Sequence, residues 1–378
     1  MVRALQGIYS VKVLHVITSL EAGGAESMLY KLCRALIESS DRTTQFSVLT
    51  LVNKGKYLSL IRGLGIEVRS LGMTKGTPTL SAIFKARRLI REIQPDLIQS
   101  WMYHSNILAA IATPIRIPLF WNIRQSLYRL KNEKWHTALS IVLHRFFAIR
   151  VRKIVFNSHT SIKQHKSYLV PFHRKSHYIP NGFDQSIFYP CLKKRQDMRK
   201  KFNIGEDTKL IGNFSRFHPM KNHDFLFRIF RDYLKSQESS NIKLALAGKG
   251  IHSRNQELIR KIRNYLTLDN VVFFGEDIEV SQGMNAIDLY VQTSAWGEAF
   301  PNLLGEALLC NCPVLATDIG DSRYIVGKES LLKESPDCIE QIKTLFDCRK
   351  KHDISRIDKI NSESEVLTKY LNAYHSLT

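Results

Sequence analysis

Short apolar, β-branched runs alternate with longer stretches of helical periodicity from one end of the chain to the other. The runs are Val11–Ile17, Phe46–Leu51, Leu97–Ser100, Pro118–Ile123 and Lys153–Asn157, with a second series at Lys209–Asn213, Lys243–Ala247, Val271–Phe274, Leu289–Gln292 and Pro313–Ala316. Alternation of this kind predicts βαβ units and parallel sheets, an α/β fold of two doubly wound, Rossmann-like domains. Between the series lies Ile179-Pro180-Asn181-Gly182-Phe183-Asp184, where Asn-Gly marks a turn, followed by the basic stretch Leu192 to Phe202. The boundary is therefore set near residue 185, giving domains at 1–185 and 186–355 and a closing segment at 356–378 that carries a helical pattern from Ser362 to Leu377. Two such sheets facing a cleft put ligand sites at the carboxyl ends of their strands.

At 378 residues the chain exceeds one ordinary core, which agrees with two domains. Hydrophobic residues at 44% and charged ones at 24% exclude a disordered or fibrous protein. Lys and Arg number 55 against 34 Asp and Glu, a net charge of +21 that calls for a polyanionic partner: nucleic acid, an anionic membrane surface or a phosphorylated small molecule. Met1 to Ser10 holds no apolar stretch with a cleavage site, and the runs Asn106 to Ile123 and Ala138 to Val151 are broken by prolines, arginines and a histidine. A cytoplasmic protein without spanning helices is the expectation. Six cysteines lack paired C-x2-C spacing; Cys310 and Cys312, the only close pair, read as small residues at a helix end.

Three stretches carry candidate chemistry. Gly23-Gly24 follows the first strand and leads into the helical pattern Ser27 to Ile37, so backbone N–H groups at a helix start could meet a phosphate; a plain tight turn reads the same way. The spacing lacks G-x-G-x-x-G, which removes the main support for a dehydrogenase. After Lys209–Asn213, Arg216 and Lys221 flank a loop into a helix and could clamp a diphosphate, or be a solvated surface. In Ser294 to Leu308, Pro301 suits a first helical turn, Glu298 precedes it and Glu306 lies inside it, with N–H groups at Asn302 to Leu304 between the two carboxylates.

Glu298-Ala299-Phe300-Pro301-Asn302 through Glu306-Ala307, with Pro313 to Gly320 after it, resembles the signature of glycosyltransferase family four. The resemblance extends over nearly the whole chain, through Gly23-Gly24, the Ile179 to Asp184 turn, Ser215-Arg216 to Lys221-Asn222, Leu246 to Gly250 and Phe274-Gly275. It implies the GT-B fold and a retaining sugar transfer from a nucleotide diphosphate sugar, of UDP or GDP type. It implies that Glu306 binds the ribose, Glu298 the donor sugar, Arg216 and Lys221 the diphosphate, with Pro301, Asn302 and Leu303 at the same helix start. Gly23 and Gly24 would approach the donor from the other domain, and His104 falls where the family keeps a histidine near the reacting sugar. Taken alone, His104 reads as a cap of the following helix. The resemblance further implies a saccharide or lipid-linked acceptor in cell-envelope polysaccharide or lipopolysaccharide synthesis, and a terminal helix that crosses back to the first domain.

The chain departs from the family pattern at Ala299, Asn311 and Asp321, where glycine is usual. Ala299 bears on the donor-sugar pocket, and Asn311 retains access to a left-handed cap. Arg124, at a strand end, is a candidate acceptor or phosphate contact. No Asp-x-Asp occurs, so metal-independent catalysis without a cofactor is expected. From Lys131 to Lys153 cations and aromatics interleave, which fits either an amphipathic helix on the inner face of the cytoplasmic membrane or a helix packed on the sheet with a basic rim. Two rivals remain: a catalytically silent GT-B scaffold, and a nucleic-acid-binding protein, for which no zinc-finger, RRM or KH signature appears.

Overall fold

The computed structural model describes residues 10–21, 23–74, 79–127, 135–169, 172–237, 241–333, 336–347 and 360–376. Lys131, Lys134, Cys348, 356–359 and Leu377 lie outside the described residues. The chain divides into two compact units, Met1–Gly182 with Asn361–Thr378, and Phe183–Ile360.

In the first unit the order is β1 (Val11–Ile17), α1 (Gly24–Glu38), β2 (Thr44–Thr50), α2 (Lys56–Gly63), β3 (Glu67–Ser70), α3 (Leu80–Ile93), β4 (Leu97–Trp101), α4 (Tyr103–Ala112), β5 (Leu119–Ile123), α5 (Trp135–Phe147), β6 (Lys153–Phe156), α6 (His159–His165) and β7 (Ser176–Tyr178). Its strands form a parallel sheet ordered β3-β2-β1-β4-β5-β6-β7. β4 and β5 are buried along their whole length because helices cover both faces. One face is packed by α1, the other by α3 and α4.

The second unit runs α7 (Leu192–Lys201), β8 (Lys209–Phe214), α8 (His223–Lys235), β9 (Ile242–Ala247), α9 (Gln256–Arg263), β10 (Val271–Gly275), α10 (Val280–Ala286), β11 (Leu289–Gln292), α11 (Asn302–Leu309), β12 (Val314–Ala316), α12 (Ser322–Val326) and α13 (Asp337–Asp347). Its parallel sheet is ordered β10-β9-β8-β11-β12. The chain then returns to the first unit as α14 (Glu363–His375), which begins with a capping box of Ser362 and Glu365. Val366, Leu367, Tyr370 and Tyr374 of α14 are buried in the same cluster as α1 and the first sheet. Tyr370 accepts from Asn122 Nδ2 at 2.7 Å, the Tyr374 hydroxyl donates to Gln99, and Glu363 pairs with Arg34 at 2.6 Å.

Both sheets are doubly wound, and each reverses its order at one place: between β1 and β4 in the first, between β8 and β11 in the second. Loops leaving two strands in opposite directions open a crevice at their carboxyl ends there. All ten strands read from the hydrophobic pattern are present; β3 and β7 were not expected. Both are edge strands with half-polar sequences, Glu-Val-Arg-Ser and Ser-His-Tyr, so they lack the apolar signature of the interior. Among the described residues no helix is long and apolar enough to cross a membrane.

Candidate active site

In the second unit the reversal point gathers most of the candidate residues. Lys221 ends a short 3-10 turn after β8, and its ammonium pairs with Glu298 Oε1 on the loop after β11. Ser294 Oγ donates to the same Glu298 oxygen at 2.7 Å. The two loops are also tied through their backbones: Ala295 N–H donates to Met220 O at 2.8 Å, and Thr293 Oγ1 to Lys221 O at 2.9 Å. Arg216 is exposed on the β8 loop. His218, between the two cations, is pushed below its ordinary value by desolvation first and then by the charges of Arg216 and Lys221, so all three share one electropositive patch.

Glycines set this geometry at two points. Gly320 has φ of 64°, and a side chain there would stand 2.5 Å from the Glu298 carbonyl oxygen, so the loop carrying Glu298 can rest directly on it. Gly248, at φ of 126°, lets the β9 loop approach Ser215 backbone to within 2.6 Å of where a side chain would begin.

α11 begins at Asn302 with buried Pro301 at the cap position, one residue earlier than the first-turn place expected from the sequence. No side chain caps this helix and no acidic residue occupies its first turn, which leaves its positive end to Pro301, Asn302 and Leu303. Glu306 follows about one turn in, partly exposed. The buried Tyr290 phenol is held well above its ordinary value by desolvation first and then by the charges of Glu298 and Glu306, which places both carboxylates within electrostatic reach of one group. Of the three departures from the family pattern, Asn311 takes the left-handed conformation at φ of 53°. Ala299 is buried with its carbonyl accepting from Asp321 N–H at 2.8 Å, and Asp321 is the buried cap of α12.

The first unit holds the remaining candidates. Gly23 caps α1 and Gly24 opens it, with no side-chain cap; instead the Glu26 carboxyl folds back against Gly23, and desolvation raises its pKa. His104 is the second residue of α4, not its cap, and its Nδ1 lies 3.1 Å from Ser140 Oγ. Desolvation, and then the charge of His136 at a ring distance of 5.5 Å, draw it below its ordinary value. The cap position belongs to Met102, at φ of 69° and ψ of 169°, a region that side chains rarely enter. Thr18 Oγ1 and Ser105 Oγ, 2.9 Å apart, link the β1 loop to the first turn of α4 across the reversal point.

Arg124 leaves the end of β5 and is partly exposed. Its guanidinium donates to the Asn181 side chain, to Tyr370 Oη at 3.1 Å and to Asn122 Oδ1 at 3.4 Å, and lies 5.7 Å from the centre of the Trp101 ring. Among the described residues no carboxylate pairs with it, and its Nε is buried without a partner. His104, in the first turn of α4, and Arg124, on the loop after β5, share no hydrogen bond among those described.

Ser294 and Met102 escaped the sequence reading. Ser294 opens the Ser294 to Leu308 stretch, four residues before Glu298, but a serine at that spacing carries no signature. Met102 is invisible because nothing about methionine signals positive φ. A separate cavity of about 480 Å³, bordered by Arg195, Lys209, Asp288, Cys310 and Pro313, lies at the amino ends of the β8, β11 and β12 strands, opposite the glutamates. At its wall Asp288 is met by Arg195 and by the neighbouring Arg199, each at 2.8 Å, and burial pushes the Cys310 thiol up to about 12. Among the described residues no group of three or more His, Cys, Asp or Glu is placed to hold a metal ion.

Residues 22–186 match the family model described as Glycosyltransferase Family 4, and residues 194–356 the one described as Glycosyl transferases group 1. The chain is 26% identical over 321 residues to a Bacillus subtilis (strain 168) protein named as a glycosyltransferase, EpsF, covering 81% of this chain and 79% of that one. It is 27% identical over 143 residues to the lipopolysaccharide core biosynthesis mannosyltransferase LpsB of Rhizobium meliloti (strain 1021), 38% of this chain and 40% of that one. Anabaena Alr3699/HepE in complex with UDP superposes with a TM-score of 0.78 at 20% identity, over 97% of this chain and 100% of that one; the likeness is one of fold, GT-B.

Proposed function

Since the chain belongs to the group 1 and family 4 glycosyltransferases, we propose that it transfers a hexosyl group from a nucleotide diphosphate sugar, of UDP or GDP type, to a saccharide or lipid-linked acceptor with retention of configuration. The observation that carries this reading is the Lys221–Glu298 pair, braced by Ser294, beside the uncapped start of α11. Breaking the anomeric C–O bond leaves charge on the departing diphosphate, which Arg216, Lys221 and the N–H groups of Asn302 and Leu303 are suited to receive. Glu306 would hold the ribose hydroxyls and Glu298 the sugar hydroxyls, and donor entry would separate Glu298 from Lys221 so that each meets its own part of the ligand.

With retention, the new C–O bond forms on the face the diphosphate leaves, and the acceptor proton passes to a departing phosphate oxygen. No enzymic base is then needed. Gly23 and Gly24 would serve the donor from the first unit, His104 the reacting sugar, and Arg124 an anionic part of the acceptor. Charge is handled by side chains and helix ends, so transfer is proposed to be independent of metal; activity abolished by a chelator and restored by Mn²⁺ would refute this. The names of LpsB and of the HepE complex support lipopolysaccharide-type acceptors and a UDP donor.

The test is a thermal-shift screen of UDP, GDP, ADP and nucleotide sugars against wild type and Lys221→Ala. Ligand at about 100 times its Kd adds about 2.7 kcal/mol to stability. One base should shift the wild type and shift the variant less. A wild type that answers to no nucleotide would favour the silent scaffold.

A further inference from the structure

α5 packs inward through Ser140, Ile141 and His144, and Ala148 after it is also buried. Its outer face is not polar. Trp135, Leu139, Val142, Phe146 and, just beyond the helix, Ile149 follow one another at steps of four and three residues, the spacing of a single helical stripe. All are exposed, from 42% at Val142 to 78% at Trp135. A helix on a water-facing surface ordinarily shows the reverse arrangement, so this face is built to be covered. Over its fifteen residues the stripe runs for roughly 21 Å.

Cations surround one end of it. Arg145 and Arg152 are exposed. Arg150 donates to Thr113 O at 2.9 Å, which brings the exposed Ile115 and Arg116 to the same end. Lys175 reaches Ala148 O at 3.1 Å and Ile149 O at 3.2 Å; desolvation first and the charge of Arg152 second hold its ammonium below the usual lysine value. From Leu97 to Phe183 the sequence has thirteen Lys and Arg and a single acid, Glu133. Apolar side chains inside a cationic rim match the interfacial layer of an anionic bilayer, where acyl chains take the stripe and headgroup phosphates the rim. A second copy of the chain docked through the same face would set like charges against each other.

We propose that the outer face of α5, from Trp135 to Ile149, is a docking surface for an anionic lipid bilayer, on which the helix lies flat. This deepens the lipid-linked acceptor reading and rests on it for its purpose. The test uses the full chain with vesicles of phosphatidylglycerol in phosphatidylcholine, by co-sedimentation and Trp emission. Binding should rise steeply with phosphatidylglycerol fraction, fall with added salt, and shift Trp135 emission to the blue. The double variant Trp135→Ser/Phe146→Ser, altered only at exposed positions, should bind at least about tenfold more weakly while keeping its fold and its nucleotide-induced thermal shift.

Equal binding to pure phosphatidylcholine, no binding at low salt, or a variant that binds like wild type would overturn the proposal. So would a concentration-dependent dimer that the double variant abolishes, which would make this face an interface between copies. Loss of vesicle binding expectations with nucleotide shifts intact leaves the donor reading standing, and the opposite result leaves the docking face standing.

Discussion

The two units share a doubly wound plan but treat charge differently at the ends of their strands. In the second, a cation of the β8 loop meets a carboxylate of the β11 loop: Lys221 pairs with Glu298, and Ser294 steadies the same carboxylate. In the first, Arg124 is met by neutral oxygens alone, from Asn122, Asn181 and Tyr370. The first unit also carries three deeply buried histidines, His15, His144 and His165, against His223 in the second. It depends on α14, which arrives from the far end of the sequence to pack on its sheet. The second unit thus joins two loops through a charge pair, and the first holds a guanidinium on neutral partners alone, one of them, Tyr370, 246 positions away.

The largest expected effect comes from removing the segment that makes the first unit discontinuous. Truncation after Ile360 strips out Val366, Leu367, Tyr370 and Tyr374, and burial of such side chains is worth about 1.5–3 kcal/mol each. A loss of roughly 6–12 kcal/mol approaches the whole stability of a domain. Hydrogen exchange should find the first sheet unprotected while β8 to β12 keep their protection. Unchanged protection of β1 and β4 would show that α14 is dispensable and undo the contrast between the units.

Acid should separate the units next. Burial lowers His15 and His144 to about 3 and His165 to about 4. Since these folded values lie below that of the unfolded chain, near 6.5, the unfolded state takes up protons first, and stability present above pH 6.5 is lost as pH falls toward the folded values. By pH 5 the loss is about 2 kcal/mol for each, three times over in the first unit and once, through His223, in the second. Trp101 and Trp121 are buried in the first sheet, so their emission should change before the second unit's exchange protection does. Simultaneous loss of both units would mean that the histidines do not set the order.

How much of this was legible follows the same division. Interior strands announce themselves because both faces are covered, so β4 and β5 read as unbroken apolar runs. β3 and β7 do not, since an edge strand buries only part of its surface. In the second unit Arg216 and Lys221 lie five positions apart, and Glu298, Pro301 and Glu306 lie within nine, so each group formed its own local motif although 77 positions separate Lys221 from Glu298, and the second motif placed the α11 start to within one residue at Pro301. In the first unit Arg124 could be flagged as a strand-end cation, but its partner Tyr370 lies at the other end of the chain and no local pattern connects them. Met102 was hidden for another reason: its positive φ is one that methionine itself does not favour.

Within the second unit, Lys221→Met should lower kcat by about 10²- to 10³-fold, roughly 3–4 kcal/mol of transition-state stabilisation. Glu298→Gln in the same background should cost less than it does alone, because the two residues touch. Strict additivity in steady-state kinetics would mean that the pair acts as two separate contacts.

The smallest effect concerns Arg124, and it decides what the first unit's spare charge is for. A guanidinium partly withdrawn from water and left without a carboxylate carries an electrostatic cost that neutral hydrogen bonds offset only in part. If that cost serves an acceptor anion, Arg124→Lys should raise the acceptor KM by about tenfold or more, since a point charge cannot reproduce the planar fork, and leave the donor KM alone. If Arg124 merely ties Asn181 and Tyr370 together, the same change should lower Tm while both KM values stay put. Comparing an anionic acceptor with a neutral analogue separates the cases: only an anion contact makes the variant lose its preference for the charged one. A wild type that shows no such preference would return Arg124 to a structural role, and the two units would then differ in how they are held together but not in which substrate each receives.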